Sequence, residues 1–221
     1  MQHELIVLPD AAAVSKAAAV RVAEAARAAV AERGVFSLAV SGGRSPWAMF
    51  ADLTELDMPW ESVEIYQVDE RIAPEGDPLR NLTHLRESLG AQLPVQVHPM
   101  PVNADDPQAG ARAYAGDLPT TIDLIHLGLG PDGHTASLVP GDPILAVTDQ
   151  LVAVTGGEYQ GTHRMSLTYP ELAKTRGLLW LITGEDKREP LRQLLAGDTS
   201  IPAGRVTAPA SVILADAAAA G

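Results

Sequence analysis

The chain of 221 residues contains no cysteine. Disulfides and thiolate-bound metals are excluded, which suits a cytoplasmic protein. Positive charge is also scarce: 16 Lys and Arg stand against 28 Asp and Glu, for a formal net charge of −12. That balance argues against nucleic acid or an anionic membrane as a partner, since both repel an acidic chain. An anionic ligand would have to be met by a local concentration of the few cations. No apolar run reaches the ~20 residues that cross a bilayer. The opening stretch, MQHELIVLPDAA, lacks the basic segment and apolar run of a secretory leader, so none is expected. There is no internal repeat, no low-complexity tract beyond alanine runs, and no dividing linker. With 46% hydrophobic residues, positions 1–221 are expected to form one globular domain.

What is present is a regular alternation of strand and helix. Short aliphatic and β-branched runs predict strands at 4–8, 35–40, 63–68, 95–98, 122–127, 178–183 and 211–214. A long helix is predicted from Asp10, its N-cap, to Arg33, with Gly34 as the stop. Val14, Ala18, Val22, Ala25 and Ala29 mark its buried face. Further helices are predicted from Pro46 through Leu53, over 82–89, within 105–119, from Gly184 through Leu195, and as a stub over 217–220. Segments 150–154 and 164–168, with turn glycines between them, predict an antiparallel pair. The alternation predicts an α/β fold with a mainly parallel sheet and helices on both faces.

Three connections hold residues that can do chemistry. After the strand at 35–40 comes Ser41-Gly42-Gly43-Arg44-Ser45-Pro46. A strand, a small-residue loop and a helix N-terminus present backbone N–H groups and a positive dipole end. That is a cradle for phosphate, to which Arg44 adds a bidentate donor; an ordinary βα turn is the alternative. It is not a Walker loop, because no Gly-Lys-Ser/Thr follows. The strand at 63–68 ends in Asp69-Glu70-Arg71, either a ligand site or a solvated ion-pair cluster. Lys187 is a lone cation in the first turn of a helix that opens at Gly184.

The most informative stretch is LGLGPDGHTASLVPGDP, from Leu127 to Pro143. Gly128, Gly130 and Gly133 allow positive φ and close approach to a ligand. Thr135 is placed to cap a short helix over 136–138. Asp132 and His134 lie within the loop, and a histidine there can be neutral at pH 7 and accept a proton. A solvated loop histidine is the alternative. The G-x-G-x-x-G spacing is not a dinucleotide site: Pro131 and Asp132 stand where the pyrophosphate would dock, and no helix of ordinary length follows before Pro140. His3, His84, His98 and His126 read as surface or packing residues, and His163 as solvated.

The string GLGPDGHTASLVPG resembles the signature of the 6-phosphogluconolactonases, in which Gly-x-Gly-x-Asp-Gly-His-Thr-Ala-Ser-Leu carries the proposed catalytic histidine. Loop 41–46 resembles the Ser-Gly-Gly-Ser/Thr-x-Pro loop that they share with glucosamine-6-phosphate deaminases, with Arg44 replacing the small hydroxyl residue. Asp69-Glu70-Arg71, with Pro74 and Asn81 behind it, resembles a second lactonase motif, with Arg80 where Ser is usual. Arg164 opens a segment similar to the family's Arg-x-Thr. Gly184 to Lys187 is similar to the Gly-x-x-Lys placed on the substrate phosphate. The resemblance runs from Ser41 to about Asp216 and implies a modified Rossmann-like sandwich, shared with the deaminases and ribose-5-phosphate isomerase.

The activity it implies is hydrolysis of 6-phospho-D-glucono-1,5-lactone, with no cofactor and no metal. Such chemistry needs a base for water, donors for the oxyanion and an anchor for the phosphate. The resemblance assigns the base to His134, oriented by Asp132 or Asp69, with Asp69 also able to bond the sugar or the water. It assigns the anchor to Ser41, Gly42, Gly43, Arg44, Ser45, Arg71, Arg164 and Lys187. N–H groups around Gly130, within the Gly128, Gly130 and Gly133 loop, are candidate oxyanion donors. The expected partner is the small-molecule sugar-phosphate lactone, met by a monomer or small homo-oligomer. Two alternatives stand beside this reading. A deaminase would carry an aromatic residue and an Asn-Glu pair after the histidine, where this chain has Thr135-Ala136-Ser137-Leu138-Val139. A non-catalytic sugar-phosphate sensor would not need His134 or Asp69, and would need an attached DNA-binding module.

Overall fold

The computed structural model describes residues 2–90 and 93–221; Met1, Ala91 and Gln92 lie outside the description. Seven strands form the main sheet: β1 (Glu4–Leu8), β2 (Phe36–Val40), β3 (Val63–Gln67), β5 (Gln96–His98), β6 (Leu124–Leu127), β9 (Leu178–Ile182) and β10 (Ser211–Asp216). Every pairing in it is parallel, in the order β1-β10-β9-β6-β2-β3-β5. A smaller sheet of three strands, β4 (Asp69–Arg71), β8 (Arg164–Leu167) and β7 (Val152–Val154), is antiparallel. The helices are α1 (Ala11–Arg33), α2 (Arg44–Thr54), α3 (Asn81–Leu89), α4 (Pro107–Asp117), the single turn α5 (Tyr169–Leu172), α6 (Arg188–Leu195) and α7 (Ala217–Ala220).

Alternate residues of the central strands enter two separate cores, one on each face of the sheet. Leu38, Ile65, Leu179 and Leu214 pack against α1 and α2. Ala39, Tyr66, Trp180 and Ile213 enter the other layer, with Tyr114 of α4 and Leu191 of α6. A parallel sheet covered on both faces requires this, and it explains why β2 and β9 are buried at every position. The α/β reading, with helices on both faces, holds. Helix α1 is capped as its sequence predicts: Asp10 accepts from the Ala13 N–H, and Gly34 sits at φ 80 with its N–H on Val30. Its buried stripe of alanines is wider than the predicted face, and Ala25 is only half-buried.

One local expectation fails, and one segment does more than its sequence shows. Asp69 to Arg71 follows the end of β3 as expected but is itself a strand. The chain leaves the main sheet at Val68, whose N–H still donates to Val40, and starts the second sheet by pairing with β8. Residues 136–138 form no helix. Leu138 N–H closes a turn onto Thr135, Ala136 takes φ 51, and the Thr135 hydroxyl donates to the Gly128 carbonyl instead of capping.

His126 on β6 is a packing residue, fully buried among strands. Burial alone holds its imidazole down at about 3, against an ordinary 6.5. As pH falls below 6.5 the unfolded chain takes up a proton that the folded chain refuses, so stability drains away from there down to about 3. The slope is about 1.4 kcal/mol per pH unit. Urea unfolding at several pH values in this window should therefore show His126→Leu losing less stability on acidification than the parent. Parallel losses in the two proteins would refute it.

Candidate active site

All strands of the main sheet run the same way, so the loops after β2, β3, β6 and β9 emerge on one edge. From β2 the chain steps outward through β3 to β5, then returns to β6 on the other side of β2. The order thus reverses between β2 and β6, where an open α/β sheet leaves a crevice at its carboxyl edge. The crevice has two lobes, of about 710 and about 300 Å³, meeting at Gly42, Gly43, Gly128, Leu129 and Lys187.

Loop 41–45 forms one wall. The Ser41 hydroxyl bonds the His126 carbonyl, tying the ends of β2 and β6 together. A Cβ on Gly42 would lie 1.9 Å from Asn81 Oδ1, so only glycine fits there. No side chain caps α2 at Gly43, so the helix meets the larger lobe with its N-terminus open. Arg44, exposed, and Ser45 line that lobe, and the Ser45 hydroxyl bonds Thr183.

Cations converge from three other elements. Arg71 lines the smaller lobe, with one guanidinium nitrogen on the Leu79 carbonyl and on Asn81 Oδ1. Arg164 is buried at the start of β8; its Nη2 reaches the Tyr159 carbonyl and Gln160 Oε1. Its Nε has no hydrogen-bond partner among the described residues. Lys187 ends the short turn before α6 and pairs with Asp186 at 2.8 Å. A chain of net charge −12 has thus gathered cations around one cleft.

Beside them lies a histidine–carboxylate pair. His134 Nδ1 is 2.5 Å from Asp132 Oδ1, which also accepts from the His134 backbone N–H. The geometry assigns the ring proton to Nδ1 and leaves Nε2 as the acceptor. Burial pushes the Asp132 carboxyl up, but His134 and the Tyr159 hydroxyl outweigh it, and the group titrates below its usual range. Asp69 is fully buried on β4 and accepts from the Ser137 hydroxyl at 2.6 Å. Burial raises its carboxyl, against the pull of Ser137, Arg164 and Arg71. Asp132, not Asp69, is therefore the partner of His134. The oxyanion expectation changes too. Gly130 N–H donates to the His134 carbonyl and Gly133 N–H to the Gly130 carbonyl, so both donors close the loop and neither is free. Their glycines serve packing: a Cβ on Gly130 would sit 2.0 Å from His134 Nδ1, and one on Gly133, at φ 78, would strike Ile201. Gly128 lines both lobes.

A model of the glucosamine-6-phosphate isomerases/6-phosphogluconolactonase family matches residues 9–215. The chain belongs to this family. The 6-phosphogluconolactonase of Synechocystis is 35% identical over 179 residues, 75% of this chain and 74% of that protein. Among solved structures, a 6-phosphogluconolactonase from Shewanella baltica superposes with a TM-score of 0.88 at 25% identity, covering 98% of both chains. A monomeric glucosamine-6-phosphate deaminase reaches 0.86 at 20% identity over 98% of both chains. The fold of the family therefore does not separate its two activities; the site must.

In this family member the structure gives roles to three residues that the sequence reading named only as parts of a motif, and adds a fourth, Tyr159, that it did not name. Asn81 bridges three parts of the site: Oδ1 holds Arg71, Nδ2 donates to the Asp69 carbonyl, and the side chain packs on Gly42. Its spacing from Asp-Glu-Arg is the one local signal for it. Glu70, fully buried, accepts from the N–H groups of Asn81 and Leu82 and so caps α3. Arg80 places Nε 3.0 Å from the same carboxylate and balances its buried charge. Tyr159 has no local signal at all.

Proposed function

We infer that this chain hydrolyses 6-phospho-D-glucono-1,5-lactone to 6-phospho-D-gluconate, a step of the oxidative pentose phosphate pathway. The observation that carries the reading is the His134–Asp132 pair, 2.5 Å apart beside a cleft ringed by Arg71, Arg164 and Lys187. His134 Nε2 takes a proton from water as the oxygen attacks the lactone carbonyl. The proton then passes to the ring oxygen as its bond to the carbonyl carbon breaks, which leaves the acid and regenerates the base. Asp132 holds the ring in the required tautomer and stabilises the imidazolium. Loop 41–45, with Arg44, Arg71, Arg164 and Lys187, anchors the phosphate. Asp69 bonds a sugar hydroxyl or the water.

All these groups come from one chain, between Ser41 and Lys187, so residues 1–221 work as one lactonase domain. A monomer suffices, and a small homo-oligomer leaves the chemistry unchanged. The absence of cysteine supports a cytoplasmic place of work. Deamination is disfavoured because no carboxylate follows His134 through Val139.

The deciding experiment is a pH-stat assay of fresh phosphogluconolactone, with spontaneous opening subtracted, beside glucosamine 6-phosphate and with a chelator present. Rapid opening of the lactone is expected, with no ammonia released from the amino sugar and no effect of the chelator. Ammonia release would move the chain to the deaminases. Inhibition by the chelator, reversed by one metal, would overturn the metal-free mechanism.

A further inference from the structure

The hairpin between β7 and β8 ends in a tight turn. Tyr159 N–H bonds the Thr162 carbonyl, and the two residues between them both have positive φ, Gln160 at 54 and Gly161 at 82. Such a turn matches the twist of the flanking strands, but only glycine adopts this backbone without strain. Gln160 accepts the strain and holds its side-chain carbonyl on Arg164 Nη2 at 3.1 Å.

Tyr159 makes five separate contacts from this position. Its hydroxyl donates to Asp132 Oδ2 at 3.1 Å and lies 3.4 Å from His134 Nδ1. Its ring stands edge-on to the His134 ring at 5.2 Å. One face of the ring carries the Arg164 guanidinium, 5.0 Å from the centroid. Its carbonyl accepts from Arg164 Nη2 at 3.2 Å. Asp132 thus receives a donor on each oxygen, His134 on one and Tyr159 on the other, which fixes the plane of the carboxylate. Burial, with the charge of Asp132 behind it, keeps the phenol protonated.

We propose that Tyr159 is a positioning residue that locks the His134–Asp132 pair and the Arg164 guanidinium into one geometry, so that base and anion anchor are set relative to each other. The proposal rests on the lactonase reading for what the geometry accomplishes, but the contacts do not depend on it. A merely structural tyrosine would fill space at the hairpin tip; this one touches both halves of the chemistry with different atoms. The hydroxyl serves the base, and the ring and carbonyl serve the cation. Substitutions can therefore separate the two roles.

The test compares Tyr159→Phe and Tyr159→Leu with the parent, alone and combined with Asp132→Asn. Tyr159→Phe should lower kcat about tenfold and leave KM for the phosphorylated lactone within about twofold, since the ring under Arg164 remains. Tyr159→Leu should also raise that KM about tenfold, with a smaller rise for unphosphorylated gluconolactone. On the Asp132→Asn background, Tyr159→Phe should have no further effect, because the group it acts through is already altered. The function-independent readout is the titration of the His134 ring followed by NMR. With its second donor gone, the Asp132 carboxylate should favour the imidazolium more, and the midpoint should rise in Tyr159→Phe relative to the parent. Equal losses on the two backgrounds, or a midpoint that stays or falls, would overturn the proposal. Should Tyr159→Leu not fold, the Phe variant still decides. If the parent shows no lactonase activity, the reading of the reaction fails, while the NMR arm still judges Tyr159.

Discussion

His134→Asn is expected to lower kcat by about 10²–10⁴ with KM little changed. The Asn side chain keeps the size and polarity of the site and can still meet Asp132, but it cannot accept a proton. The proposed phosphate anchors lie on other elements, from loop 41–45 to Lys187, so ground-state binding should be untouched. The parent rate should fall as pH drops through the range in which an imidazole takes up its proton, because protonation removes the base. That limb should vanish in the variant. Spontaneous opening is accelerated by base and must be subtracted at each pH. His163→Asn is the control: it is exposed, its ring Nδ1 lies 3.3 Å from the Thr155 carbonyl outside the cleft lining, and it should leave both constants near those of the parent. If His134→Asn kept a near-normal kcat while Asp69→Asn lost it, the base would be the buried carboxylate on β4. The structure makes that outcome unexpected, since Asp69 is held by Ser137 and His134 by Asp132.

Lys187→Ala and Arg71→Ala should each raise KM for the phosphorylated lactone by roughly 10–150-fold, the loss of one charge-assisted contact to a dianion. The values for unphosphorylated gluconolactone should hardly move. Lys187 can be read cleanly because its partner, Asp186, is largely exposed and can be neutralised separately. Asp186→Asn should leave KM the same or lower it, by freeing the ammonium for the phosphate. Arg71 carries a second role, since its guanidinium also ties Asn81 to the segment after β4. Arg71→Lys should keep the charge but lose the fork, recovering part of the affinity and none of that bracing. Unchanged kinetics for both alanine variants would remove these residues from the site and place the phosphate elsewhere in the cleft.

Much of this molecule could be read from local chemistry. Asp10 and Gly34 bound α1 because capping depends on a few adjacent residues. The strands at 36–40 and 178–182 announce themselves because a parallel sheet buried on both faces demands unbroken apolar runs. The glycine loops after β2 and β6 were visible because a close approach tolerates no side chain, and the contacts at Gly42 and Gly130 bear this out. The order and pairing of strands is another matter. Asp69-Glu70-Arg71 reads like the end of β3, yet β8, far along the chain, draws it into a second sheet. That choice depends on hydrogen bonds to a strand far away in the sequence, which no local pattern shows. Whether Asp132 or Asp69 serves His134 was equally undecidable, since it turns on side-chain directions set by the 130–134 turn and by Ser137. The glycine N–H groups offered as oxyanion donors are occupied by hydrogen bonds inside their own loop, and composition does not show which donors are occupied. Tyr159 joins the site across 25 residues of sequence separation. The sequence by itself determined the elements, their caps and the permissive loops, because these follow from short-range sterics and burial. Only the tertiary structure decided which side chains meet, because those contacts depend on the crossovers and register of a sheet whose neighbours are distant in the chain.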